Sequence, residues 1–241
     1  MTARGRQVIR ASGTFSGVSN LSLNLDLPDL LVGWVRAAGV TVEASPPELT
    51  ARLDDLVGDP GSYGLDDGVR AGVRDLLRGH GYKPSGRGKP ASEFLVGAAT
   101  RGEFPHVNNL VDINNLVSLE TGWPISIIDI DRAGTDTFEL RHGHAGERYA
   151  FNNAGHEIDL AGLLCLARPD GEAFGNPVKD SMATRLGPET ARVLAVMYTS
   201  HRVTNLDAVE AAARRFGRLI ARHAGACEVD CGALAAPSLT P

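Results

Sequence analysis

The chain has 241 residues, of which 43% are hydrophobic and 22% charged, a composition typical of a folded soluble domain with its own core. No apolar run approaches the roughly 20 residues that span a bilayer. The N-terminal "MTARGRQVIRASG" lacks the apolar stretch of a secretory signal. We therefore expect a cytoplasmic protein without membrane contact, and the net charge of −5 argues against tight, general nucleic-acid binding, DNA included.

Sequence motifs for metals and cofactors are weak or absent. The three cysteines, Cys165, Cys227 and Cys231, form no CxxC pair and do not pair off evenly, which fits a reducing compartment. His142 and His144 could share one face of a strand, but no third metal ligand is evident. The P-loop, GxGxxG, HExxH and GxSxG patterns are missing. We expect no metal and no cofactor.

The elements of the first half alternate between strands and helices. Alternating apolar and polar residues predict strands over 6–12 and 20–26. Apolar residues at helical spacing, with proline near the start or glycine near the end, predict helices over 27–38, 47–57, 65–79 and 91–101. "HGYKPSGRGKPAS", residues 80–92, is rich in Gly, Pro and Ser, and we interpret it as a loop that forms a boundary or a mobile lid.

The second half is richer in strands. The patterns predict a helix over 110–121, a buried strand over 124–131, and several short strands between 136 and 167. Further along they predict helices over 187–195 and 206–223, with a strand "VLAVMYTS" (193–200) between them and a frayed tail over 226–241. This order predicts an α+β (mixed α/β) fold with helices packed on a mixed sheet.

Two Asn-Asn pairs interrupt the apolar stretch "PHVNNLVDINNLVSLETGWPISIIDID", residues 105–131. Asn108 and Asn109 are well placed to cap the helix that follows. Asn114 and Asn115 lie inside the helix, where adjacent side chains point about 100° apart, so we expect at most one of them to face the apolar side. An inward Asn115 would either pin a neighbouring loop or line a pocket.

Basic residues concentrate between positions 70 and 101, where only Asp75 and Glu93 oppose them. They are Arg70, Arg74, Arg78, Lys83, Arg87, Lys89 and Arg101. A second set, Arg214, Arg215, Arg218 and Arg222, lies on the predicted helix 206–223. Such patches either form solvated helix faces or bind phosphate groups despite the acidic total charge.

Several motifs together resemble the B3/B4 domain of the phenylalanyl-tRNA synthetase beta chain. "VDINNLVSLETGWPISIIDID" resembles the VDxxN signature with its following proline and aspartate, and "KPASEFL" resembles the helix start upstream of it. "LRHGHAGERY" resembles the strand and turn that carry Gly146 and Glu147, and "GNPVKDSMAT" resembles the DSxxT segment. The resemblance covers about 82–200. It implies a free-standing domain with a B3/B4-like core over 81–225. Residues 1–80 lie outside the resemblance, but no convincing linker precedes residue 80, so we expect them to form an N-terminal α/β part of the same domain. Residues 226–241 are expected to form a tail.

In the synthetase this domain is the editing site, which hydrolyses tRNA wrongly charged with tyrosine. The resemblance therefore implies a pocket for an amino acid between the signature helix and the DSxxT segment. Candidate substrate-binding residues are Asn114, Asn115, Ser181 and Thr184, and candidate catalytic residues are Ser126 and Asp180. Candidate tRNA-binding residues are Lys83, Arg87, Lys89 and Arg101. The structural alternatives are a small strand residue at Ser126 and turn caps at Asp180 and Ser181.

The chain departs from the bacterial synthetases at important positions. Asn114 and Ser126 stand where those enzymes have Thr and His, and their editing Glu falls near Ala195 or Val196. No general base can therefore be transferred by resemblance. Three functions remain: a deacylase that clears mischarged tRNA in trans, a non-catalytic module that binds tRNA or an amino acid, and an interaction domain with a vestigial pocket. The sequence does not determine the oligomeric state.

Overall fold

The computed structural model describes residues 20–23, 27–78, 80–169 and 171–236. The α-helices in these ranges are Pro47–Val57 (α1), Asp67–Arg78 (α2), Ala91–Thr100 (α3), Asn109–Thr121 (α4), Ile130–Ala133 (α5) and Leu206–Ala224 (α6). The strands are Asn20–Leu23 (β1), Leu30–Ala38 (β2), Ile125–Asp129 (β3), Thr137–His142 (β4), Arg148–Ala150 (β5), Glu157–Asp159 (β6), Leu164–Ala167 (β7), Ala173–Gly175 (β8), Arg192–Ser200 (β9) and Glu228–Ala235 (β10). The predicted α+β class is confirmed.

A four-stranded antiparallel sheet in the order β10-β2-β9-β3 forms the middle layer. Alternate residues of β2 and β9 enter two different hydrophobic clusters. Val32 and Val196 pack toward a second sheet in the order β1-β4-β7-β8, whereas Val35 and Ala195 pack toward the helices α1, α4 and α6. The middle sheet is therefore covered on both faces, and β2, β3 and β9 are among the most buried segments of the protein, whereas the edge strand β10 is only partly buried.

This burial explains why the prediction of a helix over 27–38 is wrong. Residues 30–38 form β2, which is buried from Leu30 to Ala37 and lies between β9 and β10. A strand covered on both faces has no polar face, so its sequence lacks the period-two alternation that distinguishes a strand from a helix.

Three other expectations need correction or fall outside the description. The prediction of a helix over 187–195 is wrong because residues 192–200 form β9. The overlapping prediction of a strand over 193–200 is confirmed. The tail is not frayed from residue 226, because Glu228–Ala235 pairs with β2 as β10. Residues 6–12 lie outside the described ranges, as do 24–26 of the strand predicted over 20–26.

The remaining helices and most short strands are confirmed to within a few residues. They include α1, α2, α3, α4 and α6, along with β3 to β7. The loop over 80–92 is irregular apart from a 3-10 turn at Gly86–Gly88. No helix within the described ranges is long and apolar enough to cross a membrane.

Helix α4 is buried on nearly all sides, which changes the interpretation of its asparagines. Asn108 is the N-cap and accepts a hydrogen bond from the backbone of Val111, as predicted. Asn109 lies inside the helix, where its Nδ2 donates to the carbonyls of Thr41 (2.8 Å) and His223 (3.0 Å). Asn114 and Asn115 are both buried, contrary to the expectation that only one would face inward, because helices and strands surround α4.

Candidate functional site

Two cavities open on either side of Asn114 and Lys179, which line both. The smaller cavity, about 340 Å³, is mostly apolar and is lined by Arg87, Ala91, Phe94, Leu95, Asn114, Asn115, Ser118, Ile125, Val178 and Lys179. The larger cavity, about 530 Å³, is lined by Val107, Asn108, Val111, Asn114, Ile127, Phe151, Lys179, Asp180, Ser181, Met182, Arg185 and Leu186. Both lie between α4 and the segment that follows β8, and both are in the size range of small-molecule sites.

The amide of Asn114 is the polar group that the two cavities share. The residue is 8% exposed, and its Oδ1 is buried without a hydrogen-bond partner. An unsatisfied buried acceptor costs about 1–3 kcal/mol, and a ligand group that donates a hydrogen bond to Oδ1 would remove this cost. Asn115, 7% exposed, lines only the smaller cavity.

Asp180 lines the larger cavity and carries a deeply buried carboxyl group. Its Oδ2 accepts a hydrogen bond from the backbone of Ile127 (3.1 Å), while Oδ1 is buried with no donor in hydrogen-bonding geometry. Burial raises the pKa of Asp180 to about 7, although the Ser126 hydroxyl and the Ile127 N–H act in the opposite direction. A carboxyl group with this pKa exchanges a proton near neutral pH, as a general base or acid must.

A polar network lies behind Asp180. Tyr198 on β9 donates to Ser126 Oγ on β3 (3.1 Å), and Ser126 donates to the carbonyl of Asn176 (3.2 Å). Ser126 is fully buried and does not line either cavity, so the structure places it as a neighbour of Asp180. Gly175 leaves room for this network because it has no side chain. A Cβ at this position would lie 2.6 Å from Asp180 Oδ1.

The other two residues of the DSxxT segment shape the turn. Ser181 lines the larger cavity and caps the 3-10 turn Met182–Thr184 by accepting from the Ala183 N–H. Thr184 is 1% exposed, lines neither cavity, and donates to the carbonyl of Phe174 (3.4 Å). The hydroxyl of Thr184 therefore supports the segment from behind.

The four predicted tRNA-binding cations differ in their surroundings. Arg101 pairs with Glu103 (2.7 Å), whereas Lys83, Arg87 and Lys89 make no ion pair within the described part of the chain. Lys89 lies over the ring of Phe94, 5.1 Å from its centroid. Of the four, Arg87 alone lines one of the two cavities described above.

Sequence reasoning missed Lys179 and Phe151. Lys179 lines both cavities, and its Nζ lies 3.8 Å from the centroid of the Phe151 ring. Burial lowers the pKa of Lys179, and the charge of Arg87 lowers it further. The position of Lys179 directly before Asp180 was a signal for its involvement, but nothing local to Phe151 indicates that it reaches this site.

Metal ligation finds no support in the described ranges, where no cluster of three or more His, Cys, Asp or Glu residues could hold an ion. His142, considered above with His144, instead stacks on His80 with ring centroids 3.5 Å apart. Glu147 forms a two-pronged ion pair with Arg141 (2.8 and 2.6 Å), which fixes the turn that follows β4.

Comparison with known proteins places these residues in a family context. The chain is 30% identical over 106 residues to the phenylalanine–tRNA ligase beta subunit of Gloeobacter violaceus, covering 44% of this chain and 13% of that protein. It is 28% identical over 212 residues to the same subunit of Moorella thermoacetica, covering 77% of this chain and 23% of that protein. The chain thus spans about a quarter or less of the length of these curated relatives.

A solved structure also matches. An N-terminal fragment of the phenylalanyl-tRNA synthetase beta subunit from Pyrococcus horikoshii aligns with a TM-score of 0.45 and 11% identity, covering 94% of this chain and 52% of the fragment. The family model of the B3/4 domain matches residues 86–225, a span that holds α4, Lys179 and Asp180. Because this match covers more than half of the chain, the protein belongs to the B3/4 domain family.

Proposed function

We propose that the protein is an aminoacyl-tRNA deacylase that hydrolyses the ester of a mischarged tRNA in trans, in the cytoplasm. The relatives are subunits of a tRNA ligase, which supports a tRNA-related role. The observation that carries the hydrolytic part is that Asp180 and Asn114 line the same cavity and that each has a buried Oδ1 without a hydrogen-bond partner.

The smaller cavity suits the side chain of the aminoacyl group. Its wall is formed mainly by apolar residues such as Leu95, Ile125 and Val178, with Asn115 and Ser118 as polar groups. Asn114 lines both cavities, so its amide is the group that would contact the polar substituents at the α-carbon of the aminoacyl group. The ester would then lie beside Asn114 and Lys179, the residues that line both cavities.

Asp180 supplies the proton transfer. The ionised carboxylate takes a proton from a water molecule as the water oxygen attacks the ester carbonyl carbon. The bond from that carbon to the ribose oxygen then breaks, and the leaving oxygen takes the proton from Asp180, which yields a free amino acid and uncharged tRNA. The neighbouring ribose hydroxyl of the substrate can assist the leaving oxygen, and an aminoacyl ester is activated enough for this modest help to suffice.

The test is deacylation of tRNA charged with tyrosine, phenylalanine and related amino acids. We expect selective hydrolysis that falls by about 10²-fold or more in Asp180→Asn, in the range of general-base catalysis. Glu189→Gln is the matched control, because Glu189 is exposed and makes no ion pair within the described ranges. Asn115→Ala and Asn114→Ala should raise KM or abolish selectivity.

Absence of hydrolysis for every substrate would overturn the enzymatic proposal. Binding of a free amino acid that Asn114→Ala abolishes would then identify a non-catalytic binding module. Salt-sensitive binding of uncharged tRNA would identify tRNA as the partner of that module.

A further inference from the structure

Arg87 and Lys179 form a pair of like charges at the smaller cavity. Both side chains line this cavity, and neither makes an ion pair with an acidic residue in the part of the chain that the structure describes. Other arginines from the same basic stretch are neutralised, in the pairs Arg74–Glu93, Arg78–Asp75 and Arg101–Glu103. Lys83 and Lys89 also lack a carboxylate partner among the described residues, but of these four cations only Arg87 and Lys179 line the smaller cavity.

The backbone holds the two segments together. The N–H of Ala91 donates to the carbonyl of Pro177 (2.8 Å), which joins the loop carrying Arg87 to the turn carrying Lys179. The hydroxyl of Tyr82 donates to the Gly88 carbonyl (3.1 Å), and the hydroxyl of Tyr149 donates to the Lys179 carbonyl (2.6 Å). The two cations are therefore carried on anchored segments.

The arrangement of two cations at one cavity has an electrostatic cost. Burial lowers the pKa of Lys179, and the neighbouring charge of Arg87 lowers it too. Two like charges near a partly buried surface repel each other, and an anion placed between them reverses the sign of both interactions. Lys83 and Lys89, on the same loop as Arg87, add to the positive potential.

We infer that Arg87 and Lys179 form a binding subsite for the phosphate group of a phosphate ester. Arginine can bind phosphate through two parallel hydrogen bonds, and lysine binds it as a point charge. The assignment of this phosphate to the backbone near the 3′ end of an RNA rests on the proposed function. A free phosphorylated small molecule has the same chemistry and is distinguished by the experiment below.

The experiment measures binding of AMP, adenosine, inorganic phosphate and a short RNA ending in CCA by isothermal titration calorimetry. We expect AMP and the RNA to bind, the RNA more tightly, and adenosine to bind at least tenfold more weakly than AMP. Arg87→Gln and Lys179→Gln should each weaken AMP and RNA binding about tenfold, as loss of one charge-assisted contact does. Arg87→Lys should restore part of the affinity.

Arg218→Gln is the matched control, since Arg218 is exposed on α6 and makes no ion pair in the described residues. Thermal unfolding of each variant shows whether it retains the fold. Unchanged AMP affinity in a folded Arg87→Gln, Lys179→Gln double variant would overturn the subsite. An equal loss in Arg218→Gln would reduce the effect to general surface charge and would overturn it as well.

The subsite and the proposed function can fail independently. AMP binding that depends on both cations, without any deacylation, would reject the hydrolase and retain the phosphate subsite. Deacylation with an unchanged KM in the double variant would retain the hydrolase and reject the phosphate subsite. Tight AMP binding without RNA binding would replace RNA by a small phosphorylated ligand.

Discussion

The backbone N–H of Ile127 donates a hydrogen bond to Asp180 Oδ2 over 3.1 Å and thereby joins strand β3 to the segment after β8. The bond fixes one oxygen of the carboxyl group and leaves the other, Oδ1, buried without a donor. A carboxylate held in this way is oriented but incompletely solvated, which is why its pKa lies near neutrality.

The first prediction concerns the pH dependence of hydrolysis. If ionised Asp180 is the general base, kcat/KM should rise with pH, pass half its maximum near pH 7 and level off above it. The measurement is single-turnover deacylation between pH 5.5 and 8.5, with spontaneous ester hydrolysis subtracted. A flat profile in the wild type, or an unchanged rising limb in Asp180→Asn, would contradict the role.

The second prediction concerns stability. The pKa of Asp180 is raised in the folded protein, so ionisation costs more in the folded state than in the unfolded one. The resulting loss in the free energy of unfolding is absent below about pH 4 and grows as the pH rises to about 7. It amounts to at most about 1.4 kcal/mol per pH unit in that window. The free energy of unfolding of Asp180→Asn should therefore increase relative to wild type between pH 4.5 and 8, measured by urea denaturation. A stability difference between Asp180→Asn and wild type that does not change with pH would show that folding does not raise the pKa of Asp180.

The third prediction concerns Gly175. A Cβ at this position would lie 2.6 Å from Asp180 Oδ1 and 3.0 Å from Ser126 Oγ, so Gly175→Ala must displace the carboxyl group. Deacylation should fall at least tenfold, because small displacements of a catalytic group are costly. Gly146→Ala is the comparison, since a Cβ there meets nothing within 4 Å, although its positive φ adds some strain. Equal activity of the two variants would show that the position of Asp180 tolerates movement.

The fourth prediction compares two asparagines of one helix. Asn109→Ala removes hydrogen bonds to the Thr41 and His223 carbonyls and should destabilise the fold by about 2–4 kcal/mol. Asn114→Ala removes an amide whose Oδ1 has no partner, so the cost should stay below about 1 kcal/mol. Chemical denaturation of both variants checks the contrast. Comparable losses would mean that Asn114 is structural and not reserved for a ligand.

The sequence predicts the helices α1 to α4 and α6 well because their signals are local. The N-cap Asn108 and the terminal Gly122 both lie next to the helix that they delimit, α4. Strand β2 is different: whether an apolar run is covered on one face or two depends on β9 and β10, which lie more than 150 residues away. Residues 30–38 form a strand because they pair with β9 and β10, and the local sequence does not indicate this pairing.

The residues of the candidate site also differ in whether the local sequence could indicate them. Asn114 could be found because a polar residue in an apolar helix is costly without a partner. The proximity of Arg87 to Lys179 could not, because it depends on the hydrogen bond from Ala91 to Pro177, between segments far apart in the chain. The pKa of Asp180 also depends on burial that its sequence neighbours do not indicate.

The position of β2 in the middle sheet limits how this fold can be cut. The family match, 86–225, contains β3 and β9 but neither β2 nor β10. β2 pairs with β9 along its whole length, from Leu30 opposite Ser200 to Ala38 opposite Arg192. Excising 86–225 as a cassette would turn β9 into a long apolar edge, which favours aggregation. A graft of this site onto another protein must therefore carry strands from both sides of the matched segment.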